Sequence, residues 1–507
     1  MLDAPRTIRR IEDRWRDAVE PALTDYIRIP ALSPAFDPDW EANGHLARVV
    51  EDAAAWARGR AVAGLAVEVV ALPGRSPVLL VEVPPFAPAS AAGTTDGGAG
   101  TGNTPAGRAE DEAGEPAGRE DDGDAVLLYG HLDKQPPMTG WREGLGPWEP
   151  VVEDGRLYGR GGADDGYALY ASITAIEAVQ AEGGRHARLV CLIETGEESG
   201  SPDLPAYVEH LADRIGTPSL VVCLDSFCGD YDRLWTTTSL RGLLDVDLTV
   251  TVLREGVHSG SASGVVPDSF RIARLLLDRI EDPATGRLLV PELHATVPPG
   301  RRAEIEAVAA DLGDALTAGF PYVDGAGPAV PATEPTAQLT AKTWAPTLTV
   351  IGADGLPSVR DAGNVLRPTT TLSLSFRLPP TVDAAAAGRA VAAVLEADPP
   401  YGARVKAAVP SAESGWDAPP TAGWLRAAAD EASVAGWGQP ARSLGEGGSI
   451  PFMGMLGERF PEAQFLLTGV LGPGSNAHGP NEFLDLRTGR LVTAAVALVL
   501  DRHAARA

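Results

Sequence analysis

Apolar residues follow two different rhythms along this chain, and the change of rhythm divides it. Short unbroken apolar runs come first: Ala125-Val-Leu-Leu-Tyr129, and the stretches at 187–194 and 219–224. Runs of this length predict strands buried on both faces. A helical segment at 165–182 separates the first two, and another helix is expected near Gly44 to Val62. Strands alternating with helices argue for an α/β sheet with crossover helices. From about Leu240 the rhythm becomes strict alternation, in Leu243-Leu-Asp-Val-Asp-Leu-Thr-Val-Thr-Val252 and in Thr371-Leu-Ser-Leu-Ser-Phe376. Those strands have one solvated face, and helices at 268–281 and 383–398 are placed to cover the other. After about Ser414 the first rhythm returns, with a helix at 421–435, a strand over Ala463–Val470 and a closing helix at 488–503.

The expected fold is therefore α/β. A domain with a mixed, mostly parallel sheet flanked by helices is built from 1–237 and 414–507, and an α+β domain at 238–413 is inserted into it. Between the strand Ser76-Pro-Val-Leu-Leu-Val-Glu-Val83 and the one at 125, residues 85–124 turn to Ala, Gly, Thr, Pro, Asp and Glu. That composition cannot offset the entropy of ordering, which predicts a flexible, hairpin-like surface excursion.

Composition narrows the partners. The 507 residues are 44% hydrophobic and carry a formal charge of -27, which disfavours nucleic acid and anionic membranes. Three cysteines, Cys191, Cys223 and Cys228, have no disulfide-framework spacing and point to a reducing compartment. No apolar segment reaches the roughly 18 residues of a membrane span, and no signal-peptide core follows the charged N-terminus. A cytoplasmic protein is expected.

Histidines and carboxylates recur where strands end. His131 and Asp133 lie in Gly130-His-Leu-Asp133, directly after the apolar run at 125–129. Asp164 sits in Tyr158-Gly-Arg-Gly-Gly-Ala-Asp164, where glycines let a backbone approach an ion closely. Glu197 and Glu198 follow another strand in Ile193-Glu-Thr-Gly-Glu-Glu198. Asp225 ends Val221-Val-Cys-Leu-Asp225, and His478 follows the last strand in Gly472-Pro-Gly-Ser-Asn-Ala-His478. Singly, such residues are usually N-caps or solvated charges. Together, two imidazoles and three carboxylates can hold a pair of divalent ions about 3.5–4 Å apart with water as nucleophile. A carboxylate left off the metals can take the water's proton, and Asp133 can orient His131 from behind. Gly159-Arg-Gly-Gly162 is not a phosphate loop, because Asp164 replaces the third glycine of the dinucleotide fingerprint and no phosphate lysine follows.

The ordered motifs Gly-His-x-Asp, Gly-Arg-Gly-x-x-Asp, Glu-Glu-x-Gly-Ser, strand-Asp, His-Ser-Gly and Asn-Ala-His-Gly resemble the carnosinase, acetylornithine deacetylase and succinyl-diaminopimelate desuccinylase metallopeptidases. The likeness is nearest to the carnosinase-like dipeptidases and runs from Asp25-Tyr-Ile-Arg-Ile-Pro-Ala-Leu-Ser33 to the closing helix. It implies a zinc-exopeptidase-like catalytic domain with a lid and dimerisation domain, and two divalent ions per subunit, zinc first, with manganese or cobalt as alternatives. By resemblance His131 and Asp225 hold one metal, Glu198 and His478 the other, and Asp164 bridges. Glu197 takes the role of general base, with Asp133 in support. The Asp164–Asp165 peptide is expected to be cis. His258, in Val257-His-Ser-Gly260, is implied to act across a homodimer on the scissile carbonyl, and Asn364, Arg377 and Ser449 to contact substrate.

Two departures lie close to the substrate: Asp165-Gly166-Tyr167 replaces the usual Asn-Lys-Gly, and Gly256 precedes Val257-His-Ser-Gly260 where the dipeptidases often carry Asp-Leu. The implied activity is metal-dependent hydrolysis of a small peptide, most simply a dipeptide with a free carboxylate. An N-acyl-amino-acid deacylase is the alternative of the same chemistry. A non-catalytic binding protein on this fold is the alternative of another class, and the presence of Glu197 with every ligand position speaks against it.

Overall fold

The computed structural model describes residues 1–88, 124–448 and 450–506. Among these, a nine-stranded sheet runs in the order Ala66–Val70, Val78–Val83, Arg188–Glu194, Ala125–His131, Pro218–Cys223, Gln464–Leu467, Trp235–Leu240, Trp416–Asp417, with Arg442–Glu446 also on Trp235–Leu240. The Ala125–His131 strand lies parallel to both of its neighbours, and Gln464–Leu467 lies parallel to Pro218–Cys223. Four strands therefore point their carboxyl ends the same way, the edge at which open α/β sheets bind ligands.

The apolar runs behave as doubly buried strands. Val126 and Leu128 join one core layer and Leu127 and Tyr129 the other. The helices Tyr167–Ala181, Gly423–Trp437 and Leu486–Ala505 cover the first face, and Leu204–His210 and Pro451–Arg459 the second. Tyr167–Ala181 is buried on nearly all sides, which is why it reads as a uniformly apolar helix rather than an amphipathic one.

The alternating segments form a second, antiparallel sheet in the order Thr347–Asp354, Thr369–Leu378, Gly242–Thr251, Arg404–Glu413. Register pairs Leu244 with Phe376, Val246 with Leu374 and Leu248 with Leu372. These residues are all buried, and Ser269–Leu277 and Ala384–Glu396 pack on them as the periodicity predicts.

Two differences from expectation stand out. The strands Val78–Val83 and Ala125–His131 are not neighbours, because Arg188–Glu194 lies between them. The intervening chain thus connects across a strand and is not a hairpin-like excursion. Most of it, 89–123, lies outside the described residues, while Phe86 bridges His186 and Asp124 pairs with Arg506 at 2.6 Å. The helices Pro299–Leu312 and Pro335–Thr343, unforeseen within 238–413, pack on the large sheet through Ile305, Val308 and Leu339 against Trp235.

Candidate active site

The sheet's carboxyl edge brings the predicted ligands together. His131 closes its strand with a fully buried side chain, and Asp225 follows Pro218–Cys223 by two residues. Glu197 and Glu198 form a turn after Arg188–Glu194, while Asp164 lies on the glycine-rich loop after Arg156–Tyr158. The Asp164–Asp165 peptide is cis. His478 stands at φ 64 and Asn476 at φ 54. Left-handed backbone at two non-glycine residues within one loop is the kind of strain that collects at functional sites.

Asp164 is the shared member. One of its oxygens lies 3.5 Å from His131 Nε2, and the other lies 3.0 Å from His478 Nε2. Asp225 is 3.8 Å from His131 Nε2, and Glu198 is 3.3 Å from His478 Nε2. The donor atoms form two overlapping groups, His131–Asp164–Asp225 and Asp164–Glu198–His478, with the atoms of each group within 4.8 Å of one another. His131 Nε2 is buried without a hydrogen-bond partner. A buried imidazole nitrogen is normally satisfied, so an orphan ringed by carboxylate oxygens at 3.5–4.0 Å fits the role of a cation ligand. The residues present suit a divalent metal of mixed nitrogen and oxygen preference.

Charge crowding shows in the titration of these groups. Burial, and then Asp225, push Glu197 well above the ordinary glutamate range. Burial and Asp164 do the same to Glu198, and burial raises Asp225 to about 7. Burial would lower His131, but Asp133 and Asp164 outweigh it and hold the imidazole well above its usual value. Burial would likewise raise Asp164, but His131 and His478 pull it down. The cluster takes up positive charge wherever it can.

Asp133 does more than the sequence suggested. Its carboxylate is 3.4 Å from His131 Nδ1, and it accepts the backbone N–H groups of Glu197 at 3.2 Å and Glu198 at 3.0 Å. One buried side chain thus joins the His131 strand to the acidic turn.

His258 and Asn364 sit apart from this cluster. His258 pairs with Val365 in a short ladder, the Ser259 N–H donates to the Asn364 carbonyl at 2.9 Å, and both His258 and Asn364 are exposed. Neither lines the cleft. Arg377 does: it borders a cavity of about 500 Å³ together with Asp164, Glu197, Glu198, Asp225 and His478. Ser449 lies outside the described residues.

Several residues missed in the sequence build the site's frame. Arg160 and Glu482, both buried, form an ion pair. Arg160 also donates to the Gly479 carbonyl at 2.9 Å, and Glu482 accepts the Gly161 N–H at 2.9 Å. The pair clasps the loop of Asp164 to the loop of His478. Its signal was the arginine inside Gly-Arg-Gly, whose partner Glu482 lies far along the chain. Lys134 is buried, and its ammonium donates to the carbonyls of Tyr26, Ile27 and Ile29, which anchors the Asp25–Ser33 motif behind the site. Glu446 borders the cleft and accepts from Ser226 Oγ and Thr237 Oγ1 at 2.5 Å and from the Phe227 N–H at 3.0 Å. No local pattern marked it.

The sequence model of peptidase family M20/M25/M40 matches residues 127–502. A cysteinylglycine-S-conjugate dipeptidase of Corynebacterium striatum is 30% identical over 380 residues, 73% of this chain and 78% of the relative. The Beta-Ala-His dipeptidase of Homo sapiens is 31% identical over 190 residues, 36% of each chain. The solved structure of the dipeptidase Dug1p from Saccharomyces cerevisiae superposes with a TM-score of 0.70 at 20% identity, covering 99% of both chains, a likeness of fold.

Removing one half of the buried clasp leaves the other uncompensated. Arg160→Met is expected to lower the unfolding free energy in urea by about 3–5 kcal/mol. Arg160→Met with Glu482→Leu should recover much of the loss, and a double variant no more stable than the single one would contradict the clasp.

Proposed function

The chain belongs to peptidase family M20/M25/M40, and on that premise we propose that it is a two-metal dipeptidase acting on small peptides with a free carboxylate. It is a peptide-hydrolysing enzyme; the dipeptide preference rests on the names of the relatives above. The observation that carries the two-ion reading is Asp164, whose two oxygens face two different histidine-centred groups. His131 and Asp225 would hold one ion and Glu198 and His478 the other. Zinc suits this donor set, with manganese or cobalt as substitutes.

Ions bound there would supply positive charge that polarises the scissile carbonyl and acidifies a water. The chain's own residues supply the rest. Glu197 carries a carboxylate of raised proton affinity beside the metal ligands, so it accepts the attacking water's proton and returns it to the leaving amine. Asp133 holds the amides of that turn and fixes the distance of Glu197 from His131. Arg377, which lines the cleft, is assigned to the substrate carboxylate, and buried Glu446, which lines it too, to the substrate ammonium. Asn364 and Ser449 are assigned to substrate contact by resemblance.

His258 faces solvent in this protomer, which supports the reading that it serves a partner's cleft in a homodimer. The outer strand Thr347–Asp354 and the adjoining loops expose Val350, Ile351, Leu356 and Val359. A sheet edge with this apolar exposure suits pairing with a second copy. On this reading the chain is assigned a catalytic unit, 1–237 with 414–507, and a lid and dimerisation unit at 238–413, whose helices Pro299–Leu312 and Pro335–Thr343 pack on the large sheet. The three cysteines are free and buried and no described helix is long and apolar enough to cross a membrane, in keeping with a cytoplasmic enzyme.

Glu197→Gln should keep its metal content by elemental analysis while losing turnover by about 10³-fold or more; near wild-type rate would end the general-base assignment. A panel of dipeptides against acetyl- and succinyl-amino acids should be cleaved on the dipeptide side, and exclusive turnover of the acylated set would instead establish a deacylase. Mixing inactive His258→Ala chains with inactive Glu197→Gln chains should restore activity in heterodimers. No restoration under conditions of subunit exchange would remove the cross-subunit role.

A further inference from the structure

Beyond the metal cleft lies a second chamber. It has a volume of about 620 Å³ and shares Phe227, Arg377, Glu446, Gly448 and Leu471 with the cleft, so the two adjoin. Their walls differ in kind. The cleft presents carboxylates and imidazole, whereas the chamber is lined by Trp235, Leu312, Leu316, Phe320 and Leu339, with the cations Arg241 and Lys342 beside them. A buried floor explains part of this: Trp235 and Leu339 belong to the small core under the Pro299–Leu312 and Pro335–Thr343 helices. The walls do not fit that explanation. Phe227, which lines both cavities, is 50% exposed, and Phe320, which lines the chamber, is 55% exposed.

Half-exposed aromatic side chains lining one concave space mark a ligand surface more often than a folding core. The chamber's size lies within the range of small-molecule sites, about 300–1,000 Å³, and is more than the methyl group of an alanine needs. Arg377 and Glu446 stand at the junction, so a peptide whose charged ends meet them has its side chains at the chamber's mouth.

We propose that this chamber is a specificity pocket for a bulky apolar side chain of the substrate, so that the enzyme selects dipeptides carrying an aromatic or similarly large hydrophobic group over those with small ones. The proposal rests on the dipeptidase reading and adds the substrate class. Leu312, Leu316 and Phe320, in the segment that roofs the chamber, are the residues that set the preference. None of the three lines the cleft that holds Asp164, Glu197, Glu198, Asp225 and His478, so they can be altered without changing that cluster.

The test compares kcat/KM for Ala-Gly, Phe-Gly and Trp-Gly, and for Gly-Ala, Gly-Phe and Gly-Trp, on the metal-loaded full chain. In at least one series the large side chain should raise kcat/KM about tenfold or more, the usual worth of filling a hydrophobic pocket. Gly319→Trp, where an added Cβ meets no atom within 4 Å, and Leu316→Asp, which places a charge in the wall, should each remove most of that gain. Both should leave turnover of Ala-Gly or Gly-Ala within about twofold of wild type, which also reports that the variants are folded. Turnover of the small dipeptides with no advantage for the large ones in either series overturns the pocket and leaves the dipeptidase reading standing. So does an advantage that both variants retain in full. Absence of turnover on every dipeptide overturns the dipeptidase reading and the pocket with it.

Discussion

Like charge confined to a small buried volume is the constraint on which this structure turns. Asp133, Asp164, Glu197, Glu198 and Asp225 converge around one buried histidine. Carboxylates held this close in low dielectric repel one another, and burial adds the cost of lost hydration. The raised proton affinities of Glu197, Glu198 and Asp225 express that cost. Protons relieve part of it, but divalent cations relieve more and leave the carboxylates deprotonated for catalysis. The acidic cluster therefore has a functional meaning only with metal.

Holding such a cluster takes a frame that does not yield, and much of the molecule can be read as that frame. Parallel strands deliver His131, the Glu197–Glu198 turn and Asp225 to one edge of the sheet. Asp164 and His478 come on loops, which need outside support. The Arg160–Glu482 pair ties those two loops together from beneath, and Asp133 ties the strand to the turn. Lys134, buried against three carbonyls, fixes the N-terminal motif behind them. A single member of the cluster displaced by an ångström would break the shared geometry of the two donor groups, so these supporting residues hold the site as firmly as the cluster itself does.

Legibility in the sequence followed physical range. The doubly buried run at 125–129 and the alternation at 243–252 and 371–376 were readable because each records its own burial pattern residue by residue. The residues that converge in the two donor groups were readable because each follows a strand or a glycine turn within a few residues. What escaped depends on contacts far apart in sequence. Glu446 has meaning only beside Ser226 and Thr237, and Arg160 only beside Glu482. The helices Pro299–Leu312 and Pro335–Thr343 carry weak periodicity of their own and find their place only on the far sheet. The hairpin expected between the strands at 78–83 and 125–131 failed for the same reason, since Arg188–Glu194 enters the sheet between them from much later in the chain.

The central claim is that divalent ions balance the buried acidic cluster through a shared Asp164. Calorimetric titration of chelator-stripped protein with zinc tests it most directly, alongside the same titration of Asp164→Asn. The account predicts two ions bound per chain with a rise in thermal stability as they bind, and weakened binding of both ions in the variant. Absence of stoichiometric binding, or an Asp164→Asn variant that binds both ions as tightly as wild type, would contradict it.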